Sequence, residues 1–135
     1  MTAELANIMA TVARTDPLNF RANHGLDYRK VAGIVDLNRS DLSQMTSVKF
    51  DRIRFDDQIP KAVRGRLEEI ANIINLVAEY FAGDAEKTSL WFRTKNPGLG
   101  DTSPRDMLRM NRHNNLRNFI LAARSDYGWG DSRGQ

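Results

Sequence analysis

Between Pro60 and Gly83, large apolar residues recur in alternating steps of four and three: Val63, Leu67, Ile70, Ile74, Val77 and Phe81. That spacing puts them on one face of an α-helix. Ile73, Leu76 and Tyr80 widen the face. Pro60 at a first-turn position opens this helix and Gly83 ends it. A face so broad has to be covered, either within the chain or by a second copy.

Shorter periodic stretches lie on both sides. Leu5, Ile8, Met9 and Val12 predict a short amphipathic helix that Asp16-Pro17 stops. Asn23-His24-Gly25 reads as a turn. Asp27 then caps a helix running to Val35, and Asn38 caps a second from Arg39 to about Ser47. The alternation of Val48, Phe50, Ile53 and Phe55 with charged residues fits a strand-like or irregular connection. After Gly83, Asp84 caps a helix through about Arg93, and a turn follows at Lys95–Gly100. Ser103-Pro104 starts a helix through Met110. Residues 111–115, rich in Asn, form a turn, and Leu116, Phe119, Ile120 and Ala123 mark the last helix. No internal repeat and no convincing strand pair is visible, so an all-α fold is expected. It divides into an N-terminal part, residues 1–59, and a C-terminal part, residues 60–135, whose glycine-rich end is expected to be flexible when free.

The 135 residues suffice for one domain or two small helical subdomains. Hydrophobic residues make up 41% and charged residues 27%, an ordinary globular balance. No apolar run approaches the ~18 residues that would span a bilayer, and the N-terminus does not read as a signal peptide. With no cysteine, thiolate metal sites and disulfides are ruled out, which fits a reducing compartment; a cytoplasmic location is expected. The two histidines, His24 and His113, lie far apart without a ligand pattern, and are expected on the surface without a role. The net charge of +3 comes wholly from residues 60–135, with twelve basic and nine acidic side chains; residues 1–59 carry eight of each. The N-terminal half is therefore no general polyanion binder.

Within that half, residues 28–45 have the spacing of a helix-turn-helix. Val31 and Ala32 lie on the first helix, Val35 and Leu37 bracket the turn, and Leu42 and Met45 face inward from the second. The outward positions are Arg39, Ser40, Ser43 and Gln44. Arginine can grip guanine and glutamine can pair with adenine, while Lys30 and the serines can hold phosphates. The plain alternative is two ordinary bundle helices. Three features favour that alternative: Asp36 stands where this motif usually has glycine, Asp41 would repel phosphate, and the half carries no net charge.

Residues 91–108, WFRTKNPGLGDTSPRDML, have a different character. Prolines fix φ and glycines permit turns closed to other residues, so the corner is rigid and chemically quiet. Trp91, Asn96-Pro97, Leu99-Gly100, Ser103-Pro104 and Met107-Leu108 follow in an order and with gaps that resemble the signature of the Xre–MbcA–ParS family of antitoxins. The similarity extends over the upstream helix-turn-helix and the long helix, about residues 26 to 124. The chain departs from the family pattern with His113-Asn114 where a glycine is common, with a longer tail, and with the charged connection before Pro60. The resemblance implies that residues 60–135 form a toxin-binding domain in a dimeric type II antitoxin, the partner of a RES-domain toxin. Such toxins consume NAD or use it for ADP-ribosylation, and the antitoxin covers the entrance to their active site. Several members also bind their own promoter, which makes operator DNA a second expected partner.

Carried onto this chain, the toxin-binding candidates are Trp91, Arg93, Asn96, Pro97, Leu99, Ser103, Pro104 and Arg105. Tyr127 and Trp129 in the tail are added as aromatic anchors for a partner's cleft. Each has a simpler reading: Trp91 as core, Asn96-Pro97 as a turn, Arg105 on a solvated basic face, and the tail aromatics folded back on their own domain. No nucleophile elbow, paired metal ligands or phosphate loop is present, so no catalytic residue, metal or cofactor is expected. The alternative function is a free-standing helix-turn-helix transcription regulator without a toxin.

Overall fold

In the computed structural model, residues 16–22 and 25–126 are described. The helix expected over residues 4–14, the residues Asn23 and His24, and the tail from Tyr127 lie outside them. The described chain enters at Asp16, whose carboxylate accepts the backbone N–H groups of Phe20 and Arg21, both at 3.0 Å. Burial alone would raise the Asp16 pKa, but these bonds and one from the Asn75 amide hold it below the usual carboxylate value. The local turn tucks Phe20 fully into the core. Two short strands follow, β1 (Arg21–Ala22) and β2 (Gly25–Leu26), paired antiparallel with Arg21 opposite Leu26. No strand pair is legible in the sequence, because two residues a side are too few to set up an alternation.

The caps read from the sequence are in place. Asp27 caps α1 (Tyr28–Ile34), accepting the N–H of Lys30. Asn38 and Asp41 form a reciprocal capping box at the start of α2 (Arg39–Thr46), with bonds of 2.8 and 2.9 Å. Residues 48–59 form no strand: Phe50–Arg52 is a 3-10 turn, and Ile53 and Ile59 are buried. Pro60 is the residue before α3 (Lys61–Tyr80) rather than inside its first turn. Asp84 caps α4 (Ala85–Arg93), and Ser103 caps α5 (Pro104–Arg109) with its hydroxyl accepting the Asp106 N–H at 3.1 Å. The final helix, α6 (His113–Asp126), begins earlier than its apolar residues suggest. Asn111 adopts φ +60 and closes α5 tightly, the Arg112 N–H reaching the Met107 carbonyl at 2.8 Å. The turn expected over residues 111–115 is therefore shorter.

The stripe on α3 is covered within the chain. Val63, Leu67, Ile70, Ile74 and Val77 are all buried, and from Ile70 to Ala78 every residue except Asn72 is. Residues 70–78 are thus enclosed on nearly all sides, and α1, α2, α4 and α6 pack against the helix. Buried side chains from Leu18 to Ile120 form one continuous cluster, so residues 16–59 and 60–126 share a core. The architecture is all-α, with the small β pairing as an edge feature. Among the described residues, no helix is long and apolar enough to cross a membrane.

Candidate functional site

The first candidate surface is the α1–turn–α2 unit. Its turn passes through Asp36, which adopts φ +55 in the left-handed region. Glycine is favoured there and Asp is among the few other residues that enter it cheaply. Asp36 therefore turns the chain where a glycine would be the easier residue. The Leu37 N–H bonds the Ala32 carbonyl at 2.9 Å and closes the turn.

Asp41 proves not to face solvent. It is 5% exposed and lies against α5, with Arg109 Nε at 3.0 Å and Arg105 Nη2 at 3.5 Å. Arg105 also donates from Nε to the Asp36 carbonyl at 2.7 Å. The two arginines neutralise the carboxylate that would otherwise repel phosphate, and staple α5 to the turn. Arg105, a toxin-binding candidate, thus points at the turn between α1 and α2 rather than standing on a solvated face.

Arg39, Ser40, Ser43 and Gln44 share one side of α2. Ser40 and Gln44 are exposed. Ser43 is half-buried and donates to the Val48 carbonyl at 2.6 Å. Arg39 donates to the carbonyls of Ile53 and Phe50 at 3.2 and 3.3 Å, and its guanidinium lies 4.6 Å from the Phe50 ring centre. Lys30 lies on α1, with Nζ 3.4 Å from the Asn19 carbonyl.

The second candidate surface is the segment 94–103. Asn96 organises it. Its side chain accepts the Gly98 N–H at 2.9 Å, its N–H reaches the Thr102 carbonyl at 3.2 Å, and its carbonyl accepts from Leu99 and Asp101 at 2.9 and 3.1 Å. Pro97–Leu99 is a 3-10 turn, and Gly100 follows at φ +72. From below, Gly98 rests on Phe119 of α6: a Cβ at this position would stand 2.9 Å from the ring. The loop is held by its own backbone and by a helix beneath it.

Of the candidates on this loop, Arg93 and Pro97 are exposed. Arg93 Nε lies 3.4 Å from Ser89 Oγ. Trp91, Asn96, Leu99 and Arg105 are half-buried, Ser103 and Pro104 buried. Trp91 meets the fully buried Phe92 edge to face at 5.1 Å. Tyr127 and Trp129 lie outside the described residues. Leu90, 57% exposed on α4, is a further surface group not among the sequence candidates. The spacing of Thr88 and Phe92, both buried, was the available signal, since it sets Leu90 on the opposite side of α4.

The two surfaces adjoin. Gln44 of α2 and Asp101, Thr102, Asp106 and Met110 line one open groove. His113 is half-buried rather than on the open surface as expected: its side chain is 13% exposed, with Nε2 3.5 Å from Glu69 Oε2. Burial, then Arg66, lower its pKa below the ordinary 6.5, against the pull of Glu69. Among the described residues, no group of three or more metal-binding side chains gathers. No family model matches this chain, and no curated protein matches it.

Proposed function

We propose that this chain is the antitoxin of a type II toxin–antitoxin pair, acting in the cytoplasm on a RES-domain toxin that consumes NAD or transfers ADP-ribose from it. The observation that carries the reading is the segment 94–103, ordered by Asn96 and by Phe119 before any partner arrives. A loop of this kind loses little conformational entropy on association, which is what a plug for another protein's pocket requires. The loop presents Pro97, and α4 beside it presents Arg93 and Leu90. The family resemblance at Trp91, Asn96-Pro97, Leu99-Gly100 and Ser103-Pro104 supplies the identity of the partner.

The same chain is proposed to bind its operator through α2. The left-handed turn at Asp36 and the neutralised Asp41 support this part of the reading, because they remove two objections to it. A homodimer, which the resemblance implies, has to form through a surface other than the α3 stripe. Co-expression with the neighbouring reading frame tests the proposal: a stable complex and suppressed NAD consumption are expected. If the protein instead copurifies with nothing and only shifts its own promoter DNA, it is a free-standing regulator.

A further inference from the structure

A second feature lies on the other flank of α2. A cleft of about 540 Å³ opens between α1, the first turn of α2 and the 48–59 connection. Ala32, Leu37 and Phe55 contribute its apolar lining. Phe50 stands at its side, 52% exposed. Nothing lies within 4 Å of where a Cβ on Gly33 would be, so the space over α1 is open.

Two cations flank the cleft. Arg29 sits 5.0 Å from the centre of the Phe55 ring and Arg39 4.6 Å from that of Phe50. Each guanidinium lies over an aromatic ring, and Arg39 is further tied to two carbonyls. Such arginines are ordered in advance and keep N–H edges for a carboxylate, which they can grip with two parallel bonds. No carboxylate is among the residues that line the cleft.

We propose that this cleft binds an acidic peptide segment of a partner protein, one that carries a large apolar or aromatic side chain between carboxylates. The apolar side chain packs on Phe50, Leu37 and Phe55, and the carboxylates meet Arg29 and Arg39. Charge complementarity selects an acidic ligand, and the apolar lining requires an apolar group beside the charge. Duplex DNA meets the first condition but not the second, because its convex sugar–phosphate backbone would leave the recessed lining uncovered. The site does not depend on toxin binding, since no toxin contact enters it, although it shares Arg39 and Ser40 with the proposed operator face.

The test uses the full chain and a short fluorescein-labelled peptide in which glutamates flank one tryptophan, followed by fluorescence anisotropy. Saturable binding is expected, weakened about tenfold by Arg29→Gln and by Phe50→Ala, roughly 1.4 kcal/mol each. Replacing the glutamates by glutamines should weaken it to a similar extent, and Lys87→Ala should leave it unchanged. Circular dichroism checks that each variant is folded; either folded variant alone decides the outcome. Absence of saturable binding, equal affinity for the glutamine peptide, or wild-type affinity in a folded variant overturns the proposal. So does tighter binding of single-stranded oligothymidine than of the peptide.

Discussion

Arg109 on α5 places its Nε 3.0 Å from Asp41 Oδ1 on α2, across 68 positions of sequence. Asp41 at the same time caps α2 by accepting the Asn38 N–H. One buried carboxylate therefore ends a helix and joins the two halves of the chain. Asp41→Ala removes both roles and leaves Arg105 with Asp36 and Arg109 with Asp106 alone, so a loss of about 2 kcal/mol in urea unfolding is expected. Arg109→Ala keeps the cap and should cost less. Equal losses would mean that neither the cap nor the Arg105 contact contributes.

At Asp36 the backbone, not the carboxylate, is the stronger constraint. The main-chain carbonyl that takes Arg105 survives any substitution, whereas φ +55 excludes β-branched residues. Asp36→Gly should leave stability within about 0.5 kcal/mol, the relief of strain offsetting added freedom in the unfolded chain. Asp36→Val should cost about 1–2 kcal/mol. Thermal unfolding of the two variants side by side checks this.

Gly98 and Phe119 are a contact in which space is the only currency. Gly98→Ala forces a methyl against the ring and should displace the loop without unfolding the domain. On the antitoxin reading, affinity for the toxin falls about tenfold, roughly 1.4 kcal/mol. Adding Phe119→Leu makes room and should return part of that loss, a coupling that titration calorimetry on the double-mutant cycle measures. Additive losses would separate the loop from α6.

His113 predicts an acid sensitivity. Its pKa in the folded protein lies below 6.5, so between the two values the unfolded chain binds more protons than the folded one. Stability therefore falls as pH drops through that window and is recovered above it. Burial first, then Arg66 and Arg117, oppose the imidazolium, and Glu69 only partly offsets them. Chemical denaturation of the wild type and of His113→Asn at pH 5 to 7 should show a slope in this window that the variant lacks.

Operator binding and toxin neutralisation are expected to separate at the outer side of α2. Arg39→Ala with Ser40→Ala should abolish an operator shift while toxin inhibition persists. Gln44 is a poorer probe, because it borders the groove that contains Asp101 and Thr102. Loss of both activities in the first pair would show that the surfaces act as one.

The helices of this protein are legible in its sequence because their causes are local. The alternating steps on α3 and the caps at Asp27, Asn38, Asp84 and Ser103 act within one or two turns. The rigid corner at Asn96-Pro97 is legible for the same reason, since prolines, glycines and one asparagine side chain restrict it from within. The connection at 48–59 was ambiguous because an alternating pattern fits either a strand or a loop that buries every few residues.

What only the tertiary structure decided are the relations between distant groups. Asp41 looks like an exposed acid until α5 brings Arg105 and Arg109 to it. The α3 stripe looks like a dimer seam until four helices cover it, and His113 looks like a surface residue until it meets Glu69. Local periodicity dictates which face of each element is apolar. Which carboxylate is neutralised, and which face is left for a partner, depends on side chains far apart in sequence that a single chain can bring together only by closing its core.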